Sequence, residues 1–472
     1  MTEALESCYG LAVTGARLVE ALSRRLPAEI LHADPESLET HSHDETEDLR
    51  ALPELVVRPR TEEEVSALLS AARELRFPVT PQGALTGLSG GALAVRGGVA
   101  LDLRGMSRIL EIDRENLFAV VEAGAVTQLV QEEAERAGLF YPPDPSSRGT
   151  CTIGGNIAEN AGGPRAAKYG TTGRYVAGLR VVVPGGAVLD LGGRNRKDVA
   201  GYDLVSLFVG SEGTLGVVTQ ATLRLLPLPA HRRLLWASFA DEGKALAAVT
   251  RLYAEGSEPS ACEFMERRAA EVSAGWLDLT LPADADAHLF VEADGFEEDA
   301  VARDAERFGQ TLLDAGASDV RVALNDRESA DFWRLRRAVG EAVKKLGPYA
   351  EEDCTVPRSR LPELLAAVRT VALRRGLTAV CYGHAADGNI HVNVVQPPGE
   401  PERWRREREP AVEEIFRAVM ALGGTITGEH GVGLTQRSYL ALRHSPATLA
   451  AMRAIKDAFD PDGLLNPGKI FS

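Results

Sequence analysis

Clustered cysteine is the first thing this chain lacks. Its five cysteines, Cys8, Cys151, Cys262, Cys354 and Cys381, are scattered, odd in number and never spaced as CxxC. That excludes an iron-sulfur centre held by this chain alone and fits a reducing compartment. A basic stripe is also missing. With 52 Lys and Arg against 68 Asp and Glu the formal charge is -16, and nucleic-acid phosphates need concentrated cations. The one arginine-rich run, Arg403-Trp404-Arg405-Arg406-Glu407-Arg408, is interrupted by acid and reads as a solvated loop or helix face. No apolar run reaches membrane-spanning length. Met1-Thr2-Glu3-Ala4-Leu5-Glu6 has neither the basic n-region nor the apolar h-region of a signal peptide. The expected location is the cytoplasm, with a place at the inner face of a membrane left open.

What is present begins with length. At 472 residues the chain is too long for one ordinary core, so two or three domains are expected. Its 44% apolar and 25% charged residues are those of a soluble globular protein. Residues 56 to 83 read as strand, helix, strand, with Thr61 and Glu64 at capping-box spacing and apolar positions at Val65, Leu68, Leu69 and Ala72. Short strands follow near residues 99–103, 109–112 and 119–121, then a helix near 127–137. Past Pro227 and Pro229 the order becomes strand (234–239), helix (241–254), strand (261–265), strand (288–293), helix (298–314), strand (320–324). That order suggests a ferredoxin-like antiparallel sheet backed by helices, with a domain boundary near residue 228.

Near the C-terminus stands Tyr382-Gly383-His384-Ala385-Ala386-Asp387-Gly388-Asn389-Ile390-His391-Val392-Asn393, followed later by Gly428-Glu429-His430-Gly431. The two histidines have the spacing of one helix face, but Asp387-Gly388-Asn389 between them is turn chemistry. The pair therefore belongs on two strand ends flanking a tight turn. Open catalytic zinc sites use three protein ligands and leave one position for water or substrate. His384, His391 and Glu429 fit that count, with a further histidine as a base. Sequence alone leaves open why Glu429 and not His430 would be the third ligand.

Glycine is dense between residues 81 and 216 without settling into a repeat. The loop Pro81-Gln82-Gly83-Ala84-Leu85-Thr86-Gly87-Leu88-Ser89-Gly90-Gly91 directly follows a predicted strand. Glycines let successive backbone N–H groups turn toward one anionic point, and Thr86 and Ser89 add hydroxyls, so a pyrophosphate is a natural occupant. The loop matches neither a GxGxxG fingerprint nor a P-loop, which disfavours a Rossmann site and an ATPase. Further exposed-backbone runs at Cys151–Gly163, Lys168-Tyr169-Gly170 and Gly210–Thr219 imply a long ligand lying against main chain.

Together these segments resemble the FAD-binding domain of the vanillyl-alcohol oxidase and p-cresol methylhydroxylase superfamily. The PQGxxTGxxGG loop, the IGGNxAxNAGG run and the GSEGTLGVVT strand carry the likeness. The GHxxDGNxHxN and GEHGVG motifs resemble those of the FAD-linked D-2-hydroxy-acid dehydrogenases, which include glycolate oxidase flavin subunits, D-lactate dehydrogenases and D-2-hydroxyglutarate dehydrogenases. The resemblance spans residues 40 to 472. It implies an α+β protein with a PCMH-type FAD-binding domain (1–227), a ferredoxin-like substrate or cap domain (228–425), and a C-terminal segment (426–472) that returns to complete the active site and the FAD domain.

Carried over by motif, the pyrophosphate cradle would be Gln82, Gly83, Thr86, Gly87, Gly90 and Gly91. Pro143, Asp144, Thr152, Gly154, Gly155, Asn156, Glu212, Gly213 and Val218 would line the rest of FAD, with Asn466 returning from the C-terminus. The loop contains no histidine and Cys151 reads as a packing residue, so FAD is expected to be non-covalent. The resemblance makes His384, His391 and Glu429 the ligands of a divalent metal, with zinc favoured, places Asn393 behind them, and makes His430 the base. Arg336, three residues after Trp333, would clamp the substrate carboxylate.

One departure bears on substrate. Where hydroxyglutarate-specific members hold a distal carboxylate with threonine and lysine, this chain has Gly340 and Glu351. The expected reaction is therefore FAD-dependent oxidation of a short D-2-hydroxy acid, glycolate or D-lactate, by hydride transfer to flavin N5. Two alternatives are a non-catalytic flavin-binding subunit of an oxidoreductase complex and a zinc hydrolase. Electrons would have to pass to a separate iron-sulfur subunit, an electron-transferring flavoprotein, a quinone, a cytochrome or oxygen, among which no residue chooses. Oligomeric state is equally unreadable, and a homo-oligomer is allowed.

Overall fold

The computed structural model describes residues 14–471; Cys8 and the Met1–Glu6 segment lie outside them. The chain forms two compact units. One contains the described residues up to Ala161, Thr171–Leu228 and the run from Glu429 onward; the other contains Gly162–Gly170 and Pro229–Gly428.

In the first unit the capping box forms as the sequence predicts. Thr61 and Glu64 bond reciprocally at the start of helix Glu62–Leu75, which buries Val65, Leu68, Leu69, Ala71 and Ala72. Strands Leu55–Val57 and Val79–Gln82 flank Val99–Asp102 in parallel, and the short Leu31–His32 adds an antiparallel edge. A five-stranded antiparallel sheet follows, ordered Ile109–Asp113, Phe118–Glu122, Val217–Arg224, Val176–Val182, Val188–Gly192. The C-terminal run comes back to the start of the glycine loop: Val79 donates to Leu464 O at 2.9 Å and Asn466 donates to Val79 O at 2.8 Å.

The second unit is built on one seven-stranded sheet. Its first four strands lie in the order Ala317–Val322, His231–Phe239, Ala287–Gly295, Ala261–Glu266, all antiparallel. With helices Glu242–Ala254 and Glu298–Asp314 between strands, this is the ferredoxin-like arrangement expected from the element order. Three further strands, Thr378–His384, Asn389–Val395 and Tyr349–Thr355, continue the sheet past Ala261–Glu266. Trp236 stacks on Phe290 at 5.6 Å and meets Phe332 edge-on at 5.2 Å, anchoring a core that also takes in Trp333 and Tyr349.

Two local features complete this unit. The Gly162–Gly170 excursion joins it through Asp294, which receives Lys168 Nζ at 2.5 Å and the Tyr169 hydroxyl at 2.6 Å. The arginine-rich run lies on helix Pro401–Ala421, where Arg405 pairs with Glu402 and Arg406 with Glu407 on the surface while Trp404 is buried.

Candidate active site

His384 closes strand Thr378–His384, and His391 is the third residue of strand Asn389–Val395, with a single 3-10 turn at Ala385–Asp387 between them. The turn predicted from Asp387-Gly388-Asn389 is therefore present. Register pairs His384 with Asn389 and Tyr382 with His391, so both imidazoles project from one face of the sheet. Their ring centroids are 5.3 Å apart and nearly perpendicular. Both side chains are buried.

Glu263, on the adjacent strand Ala261–Glu266 and fully buried, lies 2.8 and 2.9 Å from His384 Nδ1 through its two oxygens. A carboxylate accepts only, so the proton sits on Nδ1 and the lone pair on Nε2, the tautomer that metal-ligating histidines adopt. Arg336, in the last turn of helix Asp326–Arg337, reaches the same carboxylate: Nη2 is 2.7 Å from Glu263 Oε2. Its guanidinium packs on the Tyr382 ring at 5.2 Å, and its buried Nε has no hydrogen-bond partner among the described residues. Buried Asn393 likewise keeps an unpartnered Oδ1.

Glu351 stands 3.8 Å from His391 Nδ1 and accepts from the Tyr382 hydroxyl at 3.4 Å. Burial, reinforced by the Glu351 charge, pushes the Tyr382 phenol well above its ordinary range, so it remains a donor. Asp353 organises the approach to the second motif. Its Oδ1 receives Asn389 Nδ2 at 2.6 Å, and its Oδ2 receives Thr427 Oγ1 at 2.8 Å and the Gly428 amide at 2.7 Å. A Cβ on Gly428 would collide with Thr355 Oγ1 and Asn389 Nδ2, so only glycine fits. Glu429 and His430 are the next two residues of the chain.

In the first unit the remainder of that motif is held by Glu212 and the glycine loop. Both oxygens of Glu212 are taken by backbone amides, Val432 and Gly433 each at 2.7 Å, and Leu434 N donates to Ser89 O at 2.7 Å on the glycine loop. The carboxylate of Glu212, expected to line FAD, thus fixes the backbone just after His430. Asn466 ties the same group together, donating to Gly91 O at 3.1 Å and Glu212 O at 2.7 Å.

The predicted cradle residues assemble around these contacts. Buried Gln82 donates Nε2 to His41 O and Ala92 O, leaving its Oε1 without a partner among the described residues. A Cβ on Gly83 would stand 2.7 Å from Thr152 Oγ1, the atom that caps helix Ile153–Glu159 by accepting from Gly155 N. Gly213 approaches Pro81, and Gly90 approaches Leu434. Thr86 and Gly87 continue the same loop, and Gly154 packs on Ala123. Pro143, Asp144 and Val218 are buried in this unit, and Asn156 gives Nδ2 to Thr127 Oγ1 at 2.7 Å. The unpartnered buried amide oxygen of Gln82 is a group that a polar ligand lying against this main chain would satisfy. Cys151 lies 3.2 Å from Thr127 Oγ1, and burial raises its thiol, which fits the packing role expected for it.

Sequence reasoning missed Glu263, Asp353 and a buried group around Lys469. Burial lowers the Lys469 ammonium to about 8, opposed by the nearby Asp44 and Glu212 charges, while burial raises Asp44 and, helped by Glu212, Glu159. The available signal for Glu263 was an acid between apolar neighbours in the strand Ala-Cys-Glu-Phe-Met-Glu, which also ends on a buried acid, Glu266. Among the described residues no helix is long and apolar enough to cross a membrane.

Comparison with known proteins identifies the family. Residues 53–192 match the FAD binding domain model, and residues 228–470 match the model for the C-terminal domain of FAD linked oxidases. Glycolate oxidase subunit GlcD of Bacillus subtilis is 40% identical over 433 residues, covering 92% of each chain. A D-lactate dehydrogenase of Anaerostipes hadrus is 34% identical over 461 residues, covering 96% of this chain and 97% of its own. The fold matches p-cresol methylhydroxylase with a TM-score of 0.81 at 18% identity over 96% of both chains. The chain accordingly belongs to the FAD-linked D-2-hydroxy-acid dehydrogenase family, of the glycolate oxidase flavin subunit and D-lactate dehydrogenase type, within the vanillyl-alcohol oxidase and p-cresol methylhydroxylase superfamily.

Proposed function

We propose that the protein oxidises a short D-2-hydroxy acid, glycolate or D-lactate, to the 2-oxo acid, using non-covalent FAD and a divalent metal held by His384, His391 and Glu429. The observation that carries this reading is the buried His384–His391 pair on one sheet face, with Arg336 anchored to the same carboxylate that orients His384. Bound FAD supplies N5 as the acceptor of the C2 hydride. A bound metal supplies a Lewis acid that brings the substrate hydroxyl pKa within reach of an imidazole. His430 takes the hydroxyl proton, Arg336 holds the carboxylate, and Asn393 supports the ligands from behind. Two nitrogens and a carboxylate suit zinc, which is redox-inert beside a flavin, although manganese, iron or cobalt accept the same ligands.

Glu351 beside His391 favours a monocarboxylate, since a second substrate carboxylate there would meet like charge. The histidine pair speaks against a non-catalytic flavin subunit, and FAD-oxidase family membership speaks against a hydrolase. The electrons taken from substrate would need a carrier outside this chain, an iron-sulfur subunit, an electron-transferring flavoprotein or a quinone, because the sequence has no cluster-spaced cysteines. The relatives named as glycolate oxidase subunits support an assembly of that kind.

The deciding experiment is an anaerobic absorption spectrum of the purified protein with D-lactate, L-lactate, glycolate and D-2-hydroxyglutarate added in turn. Bleaching by glycolate or D-lactate supports the proposal; a flavin that none of them reduces overturns it. His430→Ala is expected to slow flavin reduction by about two to four orders of magnitude with FAD and metal retained. His384→Ala is expected to lose the metal.

A further inference from the structure

We infer that Glu263 is a positioning residue that couples the metal ligand to the substrate clamp, so that metal binding and substrate-carboxylate binding depend on one shared side chain. The inference rests on the proposed function and deepens it. Glu263 is fully buried on strand Ala261–Glu266, at the seam where the ferredoxin-like strands meet the strand that ends in His384. Its two oxygens face His384 Nδ1 at 2.8 and 2.9 Å, and Oε2 also receives Arg336 Nη2 at 2.7 Å. His384 and Arg336 are themselves buried, at 3% and 4% exposure, so the shared contact is shielded from water.

Chemistry makes this sharing consequential. A histidine ligand whose Nδ1–H is held by a carboxylate has its ring orientation fixed and its Nε2 made more basic, and loss of such a partner commonly lowers metal affinity 10- to 100-fold. Arg336 is held by the same carboxylate, sharing Oε2 with His384, with its guanidinium over the Tyr382 ring and its Nε without a hydrogen-bond partner among the described residues. A substrate carboxylate is the acceptor that a buried guanidinium with an unused donor can bind. Glu263 touches neither the proposed substrate nor the proposed metal. It acts through the two residues that do.

Glu263→Gln separates the possibilities, because an amide presents one acceptor where the carboxylate presents two, and carries no charge for Arg336. With FAD content and melting temperature confirmed, two constants are read on the holoprotein: zinc affinity by competition with a chelator, and oxalate affinity at saturating zinc by the change in the flavin spectrum. Zinc affinity is expected to fall at least tenfold and oxalate affinity at least tenfold, with kcat at saturating zinc and substrate changing less than KM. If both constants stay within twofold of the parent protein, Glu263 only packs, and the inference fails. If one moves and the other does not, Glu263 serves a single partner, and the coupling fails. Should Glu263→Gln not fold, Glu263→Asp, which keeps the charge but withdraws it by one methylene, is read by the same two constants. A parent protein that binds no zinc and is reduced by no hydroxy acid would instead overturn the proposed function.

Discussion

A carboxylate 3.8 Å from His391 has a direct consequence for substrate choice. Glu351 is partly buried and accepts from the Tyr382 hydroxyl, and on the proposed reading an ionised Glu351 would meet a distal substrate carboxylate with like charge. A dicarboxylate such as D-2-hydroxyglutarate should bind weakly, and Glu351→Lys should reverse that discrimination: KM for D-2-hydroxyglutarate is expected to drop at least tenfold while KM for D-lactate changes little, as steady-state kinetics would read. A second residue-scale prediction concerns pH. His288 receives the Trp236 indole N–H on Nδ1 at 3.0 Å, and burial, with Arg267 and Arg321 nearby, lowers it to about 4. A histidine with a depressed folded pKa stays neutral in the native state, so its contribution is complete above about 6.5 and is lost as pH falls from there toward 4. Linkage puts the loss at about 2 kcal/mol by pH 5. Urea unfolding at pH 7 and pH 5 should show the parent protein losing that much more stability than His288→Gln.

At the scale of elements, the run from Thr425 to Gly428 is the piece on which the second motif depends. It lies along strand Tyr349–Thr355, with Thr425 and Thr355 exchanging backbone hydrogen bonds and Asp353 gripping Thr427 and Gly428. Gly428→Ala forces a methyl group into Thr355 Oγ1 and Asn389 Nδ2, so the backbone leading to Glu429 must shift. The expected result is a protein that keeps FAD but loses most of its metal and at least 10²-fold in activity, since displacements of about 1 Å at a positioned group cost that much; metal analysis against flavin absorbance checks it. Elements of this kind divide into those legible in sequence and those that are not. The capping box at Thr61 and the hairpin turn at Asp387-Gly388-Asn389 rest on residues a few positions apart, whose chemistry fixes local backbone, and the ferredoxin-like order is read from the succession of strands and helices. The joining of the histidine hairpin to strand Ala261–Glu266 rests on pairing across a long separation, Phe264 with Gly383, which no local pattern records. Glu263 was missed for the same reason, its partner His384 being 121 positions away. Gly162–Gly170 read as part of the glycine-rich domain because its anchor, Asp294, is 126 positions from Lys168.

For the whole molecule the question is where electrons go once substrate is oxidised. The four described cysteines are reduced and buried. Burial pushes the Cys381 thiol to about 11 and raises Cys151, Cys262 and Cys354 as well, so none offers a ready thiolate for disulfide chemistry. No CxxC pair exists in the sequence to hold a cluster, and a metal as inert as zinc would add no redox capacity. Among the described residues no second redox group is evident, so FAD is expected to be the two-electron reservoir. An anaerobic dithionite titration should take up two electrons per FAD and stop. A stoichiometric amount of substrate should reach the same reduced spectrum, which should persist until an outside acceptor is added. Uptake beyond two electrons would mean that another redox group is resident, most directly a redox-active metal at His384 and His391, and the choice of zinc would fall while the ligand assignment stood.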